Sequence, residues 1–310
     1  MERKKILVTG GKGFIGSNLV PELEKRGYKV WISDLIHSEE QNYIRCDTSK
    51  YRQVEKMFED HNFDYVYHLA AEYGRWNGED YYENLWQTNV IGTKNIIRMQ
   101  EKKKFKMIFF SSAEVYGDYD GLMKEEVMDK VPIKQMNDYA MTKWVGEMQV
   151  LNSADMFGTE TVSVRLVNAY GPHEYYSPYR GVIPMFIYRA LKDMPYIVYM
   201  GHKRIFDYIE DTCRTLANII ENFKPGEVYN IGGKKEWECE IKYVSDLILK
   251  YLGIDDSIVT YKKLEPFTTK VKHIDCSKAM RDLKHDPKVP LEEGIPKTIE
   301  WMKNIYCREE

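Results

Sequence analysis

The sequence predicts an α/β protein: a Rossmann-type, doubly wound parallel sheet followed by a smaller, mixed C-terminal lobe. Three observations carry that expectation. Short apolar runs rich in β-branched and aromatic residues alternate with longer amphipathic ones, as in strands buried on both faces and joined by helices. The first run leads into a glycine-rich turn, Thr9-Gly-Gly-Lys-Gly-Phe-Ile-Gly16, that opens a helix. The regular alternation then loosens after residue 171.

In chain order, residues 5–10, 29–34, 65–70, 106–112 and 161–168 read as strands, and 14–26, 50–60, 81–103 and 138–157 as helices. A third strand is expected just before Asp47. Phe14, Ile15, Leu19 and Leu23 give the first helix one apolar face. Beyond residue 171 the stretch "GPHEYYSPYRGVIP" is rich in Pro, Gly and Tyr, and helical pieces follow near 183–192, 211–223 and 239–252. "EVYNIGG", residues 227–233, reads as one more strand returning to the sheet. Residues 1–171 are therefore expected to form a nucleotide-binding domain, joined by the strand near 227–231, and residues 172–310 the second lobe. Ligands of such sheets lie beyond the carboxyl ends of the strands, in the crevice between lobes.

The 310 residues carry a formal net charge of −3, which argues against a polyanion-binding surface. The one basic run, Lys102-Lys103-Lys104, falls at a helix end where cations suit the dipole, so no nucleic-acid partner is expected. Five cysteines without a CxxC spacing speak against a disulfide framework or a metal site. No apolar stretch approaches the ~20 residues of a membrane span, and the N-terminus runs directly from charge into a strand. The expected setting is cytoplasmic, with no membrane association.

A glycine-rich turn alone is either a phosphate cradle or a tight strand-to-helix connection. Here it follows a strand and opens a helix, and the next strand ends in Asp34. Gly10, Gly13 and Gly16 would let the backbone approach a pyrophosphate, held by the N–H groups at Phe14 and Ile15. Asp34 can accept hydrogen bonds from adenosine ribose hydroxyls and would repel a 2′-phosphate, which favours NAD. Lys12, inside the turn, weakens that preference slightly.

The chemistry-bearing residues lie further on. Tyr139 and Lys143, in "YAMTK", share one helix face, and Ser112 ends a strand in "SSAEVYG". A neighbouring ammonium would favour the phenolate of Tyr139, and a serine hydroxyl can relay its proton, the set needed to oxidise a secondary alcohol. TGxxGxxG, HLAA, NxxGT, SSxxVYG, YxxxK and NxYGP occur in that order over residues 6–172. Together they resemble the extended short-chain dehydrogenases of the NAD-dependent epimerase/dehydratase family, and among these the chain is most similar to UDP-sugar 4-epimerases.

The resemblance implies NAD as cofactor, with Leu69, Ala70 and Ala71 passing beneath it, Asp47 near the adenine, and Asn89, on a core helix tying neighbouring strands together, also counted among the cofactor-binding residues. His68 is expected to be a packed structural histidine, and Ser111 to pack at the strand end. It implies a UDP-sugar substrate, oxidised at C4 through Ser112, Tyr139 and Lys143, then turned over and reduced on its other face. UDP-GlcNAc/UDP-GalNAc and UDP-glucose/UDP-galactose are the pairs in view. A homodimer built on the helices near 81–103 and 138–157 is also implied.

Asn168 corresponds to a substrate-contacting asparagine, with an Asx turn before Gly-Pro the alternative. Arg204 would meet the substrate diphosphate, and Asp211 would cap the helix that follows it. A second diphosphate arginine of the family falls at Glu265, so Lys270 or Lys272 would have to supply that charge. Lys272 also falls near a position that helps separate hexoses from N-acetylhexosamines. The loop 72–86 supplies sugar contacts through Glu72, Arg75 and Trp76, or is simply packed surface. Glu114 leaves a second chemistry open. Related 4,6-dehydratases use an Asp-Glu pair here, whereas Ala113 cannot donate a proton; decarboxylases and some dehydratases manage with serine at that position. A 4-epimerase is the first expectation, a dehydratase or decarboxylase using Glu114 the alternative, and a non-catalytic NAD-binding regulator the weakest.

Overall fold

In the computed structural model, which describes residues 3–307, seven parallel strands form the central sheet. They are β1 (Lys5–Thr9), β2 (Lys29–Asp34), β3 (Tyr43–Arg45), β4 (Tyr65–His68), β5 (Lys106–Ser112), β6 (Thr161–Leu166) and β7 (Val228–Ile231). Their order across the sheet is β7-β6-β5-β4-β1-β2-β3, so the winding reverses between β1 and β4. Successive side chains of β1 point to opposite faces. Ile6 and Val8 join one core with Leu19, Leu23, Ile209 and Leu216, while Leu7 joins another with Val54, Phe58, Ile96 and Val150. Burial on both faces explains the nearly continuous apolar strands.

The first face is covered by helix α1 (Phe14–Lys25) and by Ile209–Asn218, which packs directly on it. The second is covered by α2 (Tyr51–Asp60), α3 (Thr93–Lys103) and α4 (Asp138–Phe157). The region expected as one helix over 81–103 is instead Tyr82–Trp86, a π-helical turn Gln87–Gly92, and α3. In that wider turn the Asn89 side chain donates to the Glu72 carbonyl and to Thr142 Oγ1 on α4 (3.0 and 3.1 Å) and accepts from the Glu72 N–H (2.8 Å). Asn89 therefore clamps the loop after β4 and does not line the cleft. Part of the expected loop, Arg75–Asp80, is a short helix.

The C-terminal lobe has its own core, in which Ile183, Phe186, Val198, Ile248, Ile295 and Met302 pack together. Helices Val182–Leu191, Ile241–Leu252 and Leu291–Tyr306 surround it, beside a parallel pair of strands, Tyr196–Tyr199 and Val259–Lys262. The last helix and Ser277–Leu283 fall outside the expected elements. Asp211 does not cap its helix: its Oδ2 accepts from the N–H groups of Lys288 and Val289 (2.7 and 2.9 Å), anchoring the chain before the last helix. Among the described residues, no helix is long and apolar enough to cross a membrane.

Candidate active site

A cleft of about 1140 Å³ opens where the strand order reverses, lined from both halves of the chain. The glycine turn forms one wall. Gly10 has φ +67°, and a Cβ there would lie 2.8 Å from the backbone N and Cα of Ala70. A Cβ on Gly16 would lie 2.5 Å from Gly11 Cα, so only glycine lets α1 begin this close to the turn. Gly13, the residue before α1, places no capping side chain over the helix N–H groups. Asp34 faces the cleft with both oxygens fixed, accepting from the N–H of Lys12 (2.9 Å) and of Leu35 (2.7 Å). The Lys12 ammonium pairs with Glu40, so its backbone serves Asp34 while its charge is answered locally.

Leu69, Ala70 and Ala71 line the floor, and Asp47, whose Oδ1 accepts from Ser49 N–H at 2.9 Å, stands at the adjoining edge. His68 sits beneath, bonded to Thr9 and Thr93 hydroxyls (2.9 and 3.1 Å). Burial holds its imidazole down at about 3, and it is a neutral packed residue.

Ser112, Tyr139 and Lys143 converge at the end of β5 and the first turns of α4. Asn137 caps α4 by accepting from Ala140 N–H at 2.8 Å, which fixes where the helix starts and hence where Tyr139 points. Lys143 Nζ donates to the Phe110 carbonyl (2.9 Å) and lies 5.8 Å from the centre of the Tyr139 ring. Burial lowers the Lys143 ammonium to about 8. Burial raises the Tyr139 phenol above its ordinary value, Tyr73 and Glu114 add to the rise, and Ser112 opposes it. Below β5, Ser111 bonds to Glu147, which is paired with the buried Arg165 at 2.7 Å. That network braces the strand end carrying Ser112 from behind, and nothing in the sequence motifs pointed to it.

The opposite wall is charged. Glu114 pairs with Lys272 at 2.8 Å, and Arg75 Nη2 with Glu265 at 2.8 Å. Burial alone would raise Glu114, but Lys272, Arg75 and Arg204 outweigh it and hold the carboxyl at about 2. Arg204 donates to the carbonyls of Lys203, Thr269 and Lys270 and to Thr268 Oγ1 at 2.7–3.0 Å, ordering the strap that carries Lys272. Lys272 and Arg204 line the cleft; Lys270 is exposed and does not. Glu72 lines it too, with its carboxylate taken by Asn77 and Asn84 (3.1 and 2.9 Å). Trp76 packs edge-on against Phe267, and Asn168 donates to the Ile205 carbonyl (2.9 Å) at the cleft margin. Tyr73, Glu174 and Arg180 also line the cleft and were not expected from any motif.

Fold and site together define a dinucleotide-dependent enzyme of the extended short-chain dehydrogenase/reductase class. The model of the NAD dependent epimerase/dehydratase family matches residues 6–232, and the chain belongs to that family. It is 32% identical over 320 residues to a UDP-N-acetyl-alpha-D-glucosaminuronate decarboxylase of Bacillus cytotoxicus, covering 98% of this chain and 99% of the relative. It is 30% identical to a putative UDP-glucose 4-epimerase of Methanocaldococcus jannaschii, covering 96% and 98%. The solved UDP-glucose 4-epimerase of Thermotoga maritima, with UDP-glucose, superposes with a TM-score of 0.86 at 27% identity, covering 97% and 99%.

NAD is the cofactor of this enzyme. The site suits it. The close approach at Gly10 and Gly16, the uncapped start of α1 and the fixed carboxylate of Asp34 leave room and hydrogen-bonding groups for a pyrophosphate and a ribose.

Proposed function

We propose that the protein is a nucleotide-sugar 4-epimerase, interconverting UDP-GlcNAc with UDP-GalNAc or UDP-glucose with UDP-galactose. The observation that carries this reading is the state of Glu114 beside the Ser/Tyr/Lys set. Ala113 has no proton to give, and Glu114 is an ionised carboxylate locked to Lys272, a poor base for C5 and no acid for a 6-hydroxyl. Dehydration needs both roles, whereas epimerisation at C4 needs neither.

In this mechanism Tyr139 takes the proton of the sugar 4-hydroxyl, Ser112 hydrogen-bonds the same oxygen, and Lys143 contributes positive charge that favours the phenolate. When bound, NAD would supply the reversible hydride acceptor for C4. The 4-keto sugar turns over in the cleft, and Tyr139 returns the proton when C4 is reduced on its other face. Gly10, Gly13, Gly16, Asp34 and Asp47 would hold the cofactor throughout the cycle. Arg75, Arg204 and Lys272 would hold the nucleotide-sugar.

A second reading is favoured by the similarity to a uronate decarboxylase. Oxidation of a uronate at C4 gives a β-keto acid, which loses carbon dioxide without a separate acid at C6. The same Ser/Tyr/Lys set would serve. Incubating UDP-glucose, UDP-N-acetylglucosamine and UDP-glucuronate in D₂O, with products followed by NMR, separates the chemistries. A 4-epimer free of solvent deuterium is the expected result. Loss of C6 as carbon dioxide selects the decarboxylase, and deuterium at C5 with loss of the 6-hydroxyl selects the dehydratase.

The enzyme is further proposed to be a homodimer. Met141, Met148 and Leu151 share one face of α4, each more than a third exposed, and Ile91 on the neighbouring π-helical turn is similarly uncovered. A second copy would cover these faces, and a monomeric mass in light scattering would exclude this.

A further inference from the structure

The loop from Gly171 to Gly181 carries a glutamate that the mechanism above does not use. Glu174 is 3% exposed and lines the cleft, yet its Oε2 has no hydrogen-bond partner. Among the described residues it is the only glutamate with such an oxygen, whereas the buried Glu147 is answered by Arg165 and Glu125 by the N–H of Asn230. An unpartnered buried carboxylate opposes folding, so its place in the cleft calls for a donor brought by a ligand.

The surroundings say which ligand. A Cβ at Gly181 would lie 3.7 Å from Glu174 Oε1 and 3.9 Å from the Tyr73 hydroxyl, so both groups converge on one spot that glycine leaves open. The Tyr73 ring packs edge-on against Tyr139 with centroids 5.5 Å apart, and the Arg180 guanidinium lies 5.5 Å from the Tyr73 ring. Gly74 fixes this arrangement, since a Cβ there would come within 2.6 Å of the Tyr179 carbonyl. Glu174 thus sits beside Tyr73, which packs against the reacting tyrosine. Burial pushes its carboxyl up to about 7, with Arg180 and the Gly181 N–H opposing, so a neutral donor suits it better than a second anion.

We propose that Glu174 is a sugar-recognition residue, its free carboxyl oxygen accepting a hydrogen bond from a hexose hydroxyl of the nucleotide-sugar beside Tyr139. The inference rests on the nucleotide-sugar reading of the substrate and not on which reaction follows oxidation. It is tested by binding rather than turnover. NAD-loaded wild type and Glu174→Gln are titrated calorimetrically with UDP, UDP-glucose and UDP-N-acetylglucosamine.

The expected result is UDP affinity within twofold of wild type and affinity for at least one UDP-sugar reduced about tenfold, the scale of one hydrogen bond to a charged group. The unliganded variant should melt no lower than wild type, because Gln leaves no charge to bury. Glu174→Asp, which keeps the charge but withdraws the oxygen, should show the same selective loss and serves if the Gln variant folds poorly. Unchanged UDP-sugar affinity, an equal loss for UDP, or loss of NAD on purification would each overturn the assignment. If the enzyme proves to be a decarboxylase, the titration reads the same.

Discussion

On the cofactor side of the cleft, position is set by backbone. Gly10 and Gly16 admit close approach, and Asp34 is aimed by two N–H groups. On the substrate side, position is set by side chains from distant segments: Arg75 meets Glu265 across 190 residues of sequence, and Glu114 meets Lys272. Among the described residues, the buried polar atoms that line the cleft without partners belong to Arg75, Tyr170, Glu174 and Arg189, none of them on the glycine turn. The first wall is complete without a ligand, while the second keeps charges and orphaned atoms that a polar ligand would satisfy. Under the proposed epimerisation, a cofactor that stays bound through each cycle needs a rigid seat, and a substrate that turns over needs groups that are answered only while it is there.

That contrast can be broken from either side. The largest effect is expected from Gly10→Ala. Its φ of +67° and the 2.8 Å approach to Ala70 leave no place for a methyl group, so the change should cost about 1–3 kcal/mol of stability and strip the protein of NAD. Thermal melting and the absorbance of released dinucleotide read both. A variant that keeps NAD at wild-type melting temperature would mean the turn is not the seat.

Arg75→Ala should leave NAD content intact and lower kcat/KM for the nucleotide-sugar by roughly ten- to a hundredfold, because a charged donor is lost and Glu265 is left unanswered. An equal loss of NAD would merge the two walls into one unit.

The smallest effect is expected from Lys272→Met and concerns pH. Glu114 is held at about 2 against an ordinary 4.5, so its contribution to stability is present above pH 4.5 and lost as pH falls toward 2. Lys272 is lowered from an ordinary 10.5 to about 8, mainly by burial, so the folded state releases this proton before the unfolded chain does and gains stability as pH rises from about 8 to 10.5. The melting-temperature gap between wild type and variant should therefore close as pH falls from about 4.5 toward 2 and widen as pH rises from about 8 to 10.5. A gap independent of pH would show that the lysine acts by packing alone.

The readable part of the site was the part built from local geometry. Spaced glycines, a strand-ending aspartate and a tyrosine one helical turn before a lysine are patterns a chain carries on itself, and the structure places each of them on the cleft. Lys12 weakens the preference for NAD when read from the sequence, because its partner, Glu40, lies 28 residues away beyond β2. Asn89 fell outside the cleft because a π-helical turn, invisible to a 3.6-residue period, redirects it onto the loop after β4. Lys270 and Lys272 are two residues apart in one segment, yet only Lys272 lines the cleft, where it meets Glu114.

By itself the sequence determined the doubly wound sheet, the dinucleotide and the tyrosine–lysine pair that the structure places on the cleft, since periodicity, turn glycines and short spacings act through neighbouring residues. The tertiary structure alone decided which charges face each other across the substrate wall, and that Glu174 stands there unanswered. Those pairings depend on how the loops after β4 and β6 and the strap at 265–272 come together over the sheet. No local spacing encodes contacts between segments so far apart in the chain.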